Sequence, residues 1–288
     1  MQKKWTVKEL IKVTTDYLRK KSIDEPRLTT EILLAHTLNL KRVSLYLNFN
    51  QPITHKELSI FRDYIKRRLD DEPVQYIIGR SGFMGFDIET KKGVFIPRQE
   101  TEILVSETKK WIEANKSGKF ILFEIGTGTG AISIFFAKRF ENMEIYASDI
   151  SEIAFECAKT NSMNYHLDEK IFLLTGQVLE PFKNKEKANV LISNPPYIPS
   201  SELEKLPEIV KQEPREAFDG GDDGLKFIKR IIHEANDFLK PRSFIALEIG
   251  IDQAENVKQL FEKEKSYKDI RIIPDLRGIK RVATAEKL

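Results

Sequence analysis

From about Thr101 onward, short apolar runs alternate with amphipathic segments, and that alternation leaves few folds open. Residues 120–125, 144–148, 171–175, 189–193, 243–249 and 269–273 have strand length and are rich in β-branched and aromatic side chains. Between them, residues 132–140, 152–164, 225–239 and 253–264 carry apolar residues at helical spacing. Parallel neighbours need a long crossover, so strand–helix alternation predicts a mostly parallel sheet with helices on both faces. The end of the chain departs from this rule. Residues 269–273 and 281–284 are joined by a short loop with Gly278, which predicts an antiparallel hairpin. The expected class is therefore α/β, doubly wound and Rossmann-like, with a mostly parallel sheet and a C-terminal antiparallel hairpin.

Residues 1–72 have no such alternation and read as helices only. Thr6 and Glu9 have capping-box spacing ahead of Leu10, Ile11, Val13, Tyr17 and Leu18. A second helix is expected from Pro26 through Leu38, and a short helix or turn over 43–47. Thr54 and Glu57 repeat the capping box before Leu58, Phe61, Ile65 and Leu69, and Lys66, Arg67 and Arg68 are expected to be exposed at that helix's basic end. Residues 73–98 read as a hinge, with a β-hairpin formed by 83–88 and 94–96 around Lys91-Lys-Gly93. The expected domains are a small helical bundle (1–72), the hinge (73–98) and a catalytic domain (99–288).

Composition narrows the class further. Lys and Arg total 47 against 44 Asp and Glu, too even a balance for a general nucleic-acid coat. The single cysteine, Cys157, cannot form an internal disulfide and falls on a helical segment, which suits a small buried side chain in a reducing compartment. The start, Met-Gln-Lys-Lys-Trp, leads into polar residues and no stretch approaches a membrane span, so the expectation is a cytoplasmic protein without a membrane partner.

The run 120–125 passes directly into Gly126-Thr127-Gly128-Thr129-Gly130 and then into a helix. Glycines there permit a tight strand-to-helix turn and close approach of backbone to a ligand. Asp149 ends the next strand about twenty residues on, where a carboxylate can accept hydrogen bonds from a ribose diol. NAD and S-adenosylmethionine both carry that ribose, so the turn and the acid leave both open.

The tetrapeptide Asn194-Pro195-Pro196-Tyr197 follows the fourth strand and so belongs at the same carboxyl edge. Two prolines fix φ and remove two backbone donors, giving a stiff extended exit. Asn194 brings an amide that donates and accepts, and Tyr197 brings a flat ring. Hydride transfer needs a proton donor or polariser near the reacting carbon. An amide that clamps a planar NH2 group instead favours a nucleophilic nitrogen and an activated methyl, and hence S-adenosylmethionine, with S-adenosylhomocysteine as product.

This combination resembles the class I amino-methyltransferases: a strand with Glu124-Ile-Gly-Thr-Gly-Thr-Gly130, an acid after the second strand, and Asn-Pro-Pro-Tyr after the fourth. Within them the chain resembles the glutamine N5-methyltransferases of peptide-chain release factors. The supporting segments are Pro73-Val-Gln-Tyr-Ile77, Phe95-Ile-Pro-Arg98 with Glu100-Thr-Glu102, Glu213-Pro-Arg215, Asp219-Gly-Gly-Asp-Asp-Gly224 and Leu276-Arg-Gly-Ile-Lys-Arg-Val282. Gln99 departs from the proline common there, and Gln177-Val178 departs from the acidic-then-apolar pair that many members place near the adenine.

The resemblance implies methyl transfer to the glutamine of a Gly-Gly-Gln loop in class 1 release factors. It implies that 126–130, Asp149, Gln177, Val178 and Asn194 meet the cofactor. Asn194, Pro195, Pro196 and Tyr197 would hold the substrate, with Asn194, Pro195 and Tyr197 acting in the chemistry. The expected partner is the release factor, docked by the N-terminal bundle, with no direct nucleic acid, no metal and a monomeric enzyme. The nearest rival is an adenine-N6 methyltransferase acting on DNA or RNA, since an exocyclic NH2 suits the same clamp. An NAD oxidoreductase and a non-enzymatic RNA- or protein-binding module stand further off.

Overall fold

The computed structural model describes residues 4–115 and 118–288; the first three residues of the polar N-terminus lie outside this range. The chain forms two compact units, Met1–Gly79 with Glu208–Gln212, and Arg80–Pro207 with Glu213–Leu288.

The first unit contains α1 (Val7–Lys20), α2 (Pro26–Thr37), α3 (Arg42–Leu47), α4 (His55–Leu69) and α5 (Val74–Ile78). Both expected capping boxes are formed. The Glu9 N–H donates to Thr6 Oγ1 at 3.3 Å and the Thr6 N–H to Glu9 Oε2 at 3.0 Å; Thr54 and Glu57 repeat the exchange at 3.3 and 2.7 Å. Satisfying otherwise orphaned N–H groups is what starts these helices at those residues. Leu10, Leu18, Leu33, Leu34, Leu45 and Phe61 pack the interior of the bundle. The basic trio at the end of α4 differs from expectation. Arg68 is buried because it shares a helix face with Phe61 and Ile65, and Arg67 makes two hydrogen bonds to Glu72, at 2.7 and 2.6 Å. Of the three, Lys66 stays exposed.

The second unit opens with β1 (Arg80–Phe83) and β2 (Phe86–Glu89), an antiparallel pair with Phe83 opposite Phe86. The hairpin expected around 91–93 is thus closed earlier, by Met84 and Gly85, both at positive φ. Two such residues suit the right-handed twist of a two-residue hairpin loop, but methionine in that position is no turn signature. Residues 94–96 form no strand; the Ile96 N–H instead donates to the Glu213 carboxylate at 2.9 Å.

Next come α6 (Thr101–Asn115), β3 (Phe120–Ile125), α7 (Ala131–Arg139), β4 (Met143–Asp149), α8 (Glu152–Asn164), β5 (Ile171–Thr175) and β6 (Ala188–Ser193). After the short α9 (Glu208–Lys211) of the first unit come α10 (Lys226–Phe238), β7 (Leu239–Glu248), α11 (Ala254–Glu264), β8 (Tyr267–Pro274) and β9 (Lys280–Lys287). Among the described residues the sheet has seven strands in the order β5-β4-β3-β6-β7-β9-β8. It is parallel from β5 to β7, and β9 runs antiparallel between β7 and β8. Every residue of β3 is buried, as a strand covered on both faces must be. Phe120 and Leu122 face a core built with α6 and α7, while Ile121, Phe123 and Ile125 face one built with α10 and α11. Among the described residues no helix is long and apolar enough to cross a membrane.

Candidate active site

Strand order reverses at β3, with β4 on one side and β6 on the other, so a crevice opens at their carboxyl ends. Register brings the functional side chains into one row. Ile125 pairs with Ser148 and with Ser193, and Ser193 pairs with Leu247. One residue further along each strand stand Asp149, Gly126, Asn194 and Glu248, side by side across the edge. Beyond them lies a cavity of about 300 Å³ lined by Gly126, Thr127, Gly128, Thr129, Asp149, Gln177, Val178 and the whole tetrapeptide from Asn194 to Tyr197. That volume is at the lower end of small-molecule sites.

Gly126, Gly128 and Gly130 all have positive φ, which bends the chain sharply out of β3. Gly130 does not line the cavity. A Cβ there would stand 3.2 Å from the Ala158 Cβ, so its role is the close packing of α7 on α8. Asp149 pins the turn: its Oδ2 accepts from the Gly128 N–H at 2.8 Å and its Oδ1 from the Ser151 N–H at 2.9 Å. Each oxygen keeps a further lone pair for a ligand hydroxyl. Burial raises the Asp149 pKa, and those two backbone donors oppose the rise.

Behind the turn, Glu124 is fully buried on β3. It accepts from the Ser133 hydroxyl, while among the described residues its Oε1 and the Thr127 Oγ1 have no hydrogen-bond partner. Burial pushes the Glu124 carboxyl up to about 7, with the hydrogen bond from the Ser133 hydroxyl opposing. On the far wall, Gln177 Oε1 accepts from the Arg230 guanidinium at 3.0 Å. Val178 is buried at a φ of 53°, an uncommon backbone for a β-branched residue.

The tetrapeptide is held from several directions. Asn194 Nδ2 donates to Thr101 Oγ1 at 3.1 Å, Thr101 donates to Glu248 Oε2 at 2.7 Å, and the Tyr197 hydroxyl donates to Glu248 Oε1 at 3.1 Å. Glu248 is buried and its pKa is raised to about 7 by burial, with Thr101, Tyr197 and Arg281 opposing. The Tyr197 pKa is raised by burial first and by the Glu248 charge second. Beyond the tetrapeptide, Ile198 and Ser200 donate to the backbone of Phe218 and Gly221 at 2.9 Å each. At Gly224 any Cβ would fall 2.4 Å from the Tyr197 carbonyl oxygen, so the Asp219–Gly224 glycines permit this close strapping. Arg98 is ion-paired with buried Glu213 and lies 5.0 Å over the Phe95 ring, fixing Phe95 at the cavity wall.

Glu248 was not singled out from the sequence, and Thr101 stood there only within the segment Glu100-Thr-Glu102, with no role of its own. The available signal was a carboxylate inside the apolar run 243–249, where only a specific partner justifies a buried charge. Among the described residues no group of His, Cys, Asp and Glu side chains could hold a metal. Cys157 is buried, and burial pushes its thiol up to about 11, the wrong direction for a nucleophile.

The profile described as PrmC N-terminal domain matches residues 9–79, and that described as Methyltransferase small domain matches residues 86–222. The chain is 36% identical to a release factor glutamine methyltransferase of Geobacter sulfurreducens, over 96% of this chain and 95% of that one. It is 37% identical to the protein of the same description from Aquifex aeolicus, over 97% and 98%. A methyltransferase structure from Pyrococcus furiosus superposes with a TM-score of 0.52 at 20% identity, covering 72% of this chain and 91% of that one, a likeness of fold. With matches of this identity along nearly its whole length, the chain belongs to the release factor glutamine methyltransferase family.

Proposed function

We propose that this protein transfers a methyl group from S-adenosylmethionine to the side-chain amide nitrogen (N5) of the glutamine in the Gly-Gly-Gln loop of class 1 peptide-chain release factors. The observation that carries this reading is the state of Asn194. Its Nδ2 is committed to Thr101, while among the described residues no hydrogen bond reaches its Oδ1 or the Pro195 carbonyl. Two free acceptors on one stiff corner of the cavity match the two N–H bonds of a primary carboxamide.

The residues fit the cofactor. Thr127 Oγ1 is a buried polar atom without a partner in the glycine turn, and Asp149 retains lone pairs in the same wall. The backbone of 126–129 would cradle the amino-acid part, Asp149 would accept from the ribose hydroxyls, and Gln177 and Val178 would flank the adenine. When bound, S-adenosylmethionine supplies a methyl group made electrophilic by its sulfonium centre.

A carboxamide nitrogen is a poor nucleophile because its lone pair is delocalised into the carbonyl. Asn194 Oδ1 and the Pro195 carbonyl would each accept one of its N–H bonds and turn that lone pair toward the cofactor side of the cavity. Tyr197 would pack on the flat amide, and Pro196 keeps the corner rigid. Catalysis of this kind rests on positioning, which is worth several kcal/mol without a strong base. A lone glutamine is too generic for a clamp to select, so the first unit is assigned the docking of the release factor. The enzyme is read as a cytoplasmic monomer acting in translation termination, with S-adenosylhomocysteine as the second product.

The nucleic-acid reading would need a basic surface for phosphates, but beside Glu216 at the rim Asp219, Asp222 and Asp223 are interspersed with Arg215, Lys226 and Lys229, a mixed surface. The test is mass spectrometry after incubation with S-adenosylmethionine and either a purified release factor or adenine-containing DNA and RNA. One methyl group on the loop glutamine is expected. Methyl on adenine, or none on the glutamine, would overturn the proposal.

A further inference from the structure

The Asn194 amide has two orientations of nearly equal shape, and only one presents an acceptor to the cavity. What selects between them lies outside the tetrapeptide. Thr101, the first residue of α6, has one hydroxyl proton, and at 2.7 Å that proton is engaged by Glu248 Oε2. Its oxygen is then left to accept, and it accepts from Asn194 Nδ2 at 3.1 Å. Glu248 is itself buried at the end of β7, with its other oxygen taken by the Tyr197 hydroxyl at 3.1 Å. With the Glu248 carboxylate ionised and able only to accept, a hydrogen-bonded chain in low dielectric fixes the direction of every link, because reversing one leaves a buried group unsatisfied.

We propose that Thr101, backed by Glu248, is the positioning residue that orients the Asn194 amide so that Oδ1 faces the acceptor. The same relay makes the site specific for a primary carboxamide. A carboxylate in the acceptor position would face Asn194 Oδ1 and the Pro195 carbonyl with no hydrogen to offer either, so a glutamate side chain is refused where glutamine is taken. Tyr197 is tied to the same carboxylate, so the ring and the amide are aligned by one group. This inference rests on the functional reading above for its substrate, but the orientation is a property of the protein alone.

The experiment therefore has two arms. In the first, wild type, Thr101→Val and Thr101→Ser are compared for methylation of a purified release factor and for S-adenosylmethionine affinity by calorimetry. Thr101→Val is expected to lose at least tenfold in kcat, with the release-factor KM and the S-adenosylmethionine Kd within threefold of wild type. Thr101→Ser, which keeps the hydroxyl, is expected within threefold in all three. A Thr101→Val enzyme with kcat within twofold of wild type would overturn the proposal. A merely structural role would instead lower cofactor affinity and thermal stability together with kcat, and would overturn it as well.

The second arm needs no substrate and no variant. Nuclear Overhauser contacts between the Asn194 Nδ2 protons and Thr101 are expected in the wild-type protein, and their absence would refute the orientation. If wild type leaves the release factor unmethylated, the functional reading falls and this second arm alone decides the relay.

Discussion

Glu124→Gln should make the protein more stable at alkaline pH and leave it almost unchanged in acid. In the folded state burial holds this carboxyl at about 7 against an ordinary 4.5. Below 4.5 both folded and unfolded chains carry it protonated, and it costs nothing. Above 7 the folded chain must keep a buried anion whose Oε1 has no hydrogen-bond partner among the described residues, while the unfolded chain solvates it freely. Because the folded pKa is the higher one, the folded state binds the proton more tightly, and stability falls as pH rises through that window. At about 1.4 kcal/mol per pH unit the difference amounts to roughly 3 kcal/mol.

Glutamine has the same shape, still accepts from Ser133, and removes the charge. The assay is urea unfolding of both proteins from pH 5 to pH 8, followed by Trp111 fluorescence in a Trp5→Phe background, since the chain has two tryptophans. Trp111 stacks on Phe244 at 5.0 Å and reports the second unit alone. Glu248 shifts in the same direction but is present in both proteins, so it cancels from the difference. The stability difference between variant and wild type should grow by about 2.5 kcal/mol across that range, most steeply near pH 6. Parallel pH profiles would show that Glu124 is solvated or paired in the folded state and would refute the argument.

Asn194→Ala should lower kcat by about two orders of magnitude, the usual cost of deleting one preorganised polar contact to the reacting group, with S-adenosylmethionine affinity little changed. Stopped-time methylation and calorimetry check both halves, and normal turnover would remove the clamp. Asp149→Ala should weaken S-adenosylmethionine binding first. Because Asp149 also anchors the Gly128 and Ser151 N–H groups, a lower melting temperature should accompany the loss. Leu47 is 83% exposed on α3 beside exposed Val43, so Leu47→Asp should leave the melting temperature unchanged while raising the release-factor KM several-fold if that face docks substrate. An unchanged KM would take this face out of the interface.

The parts legible in the sequence are those set by local spacing. Alternating runs gave the parallel sheet, the short link through Gly278 gave the terminal hairpin, and Thr6-Glu9 and Thr54-Glu57 marked two helix starts. Asn194 and Asp149 were traceable to one edge because Asp149 ends a strand and Asn194 directly follows one. What escaped depends on partners far away in the chain. The hairpin turned at Met84-Gly85, since Ile96 found Glu213 rather than a strand neighbour, and the two are separated by 117 positions. Thr101 and Glu248 meet across 147 positions, and only the β6–β7 register with the start of α6 brings them to Asn194. Arg68 reads as surface charge in the sequence, yet it shares a helix face with Phe61 and Ile65 and is buried up to its guanidinium, 3.9 Å from Asp71.

The placement of β9 bears on how the chain is made. β8 leaves the ribosome before β9, yet β9 is its neighbour in the sheet and also covers the outer side of β7. Until residues 280–287 emerge, β7 presents an open edge and β8 has nothing to pair with, while Val282, Ala283 and Ala285 are missing from the interior they later fill. An unpaired apolar edge is a template for joining another chain. Synthesis stalled before Lys280 would therefore yield not a slightly shortened enzyme but a sticky one, and it is the arrival of one late strand that closes the edge of β7 and gives β8 its partner.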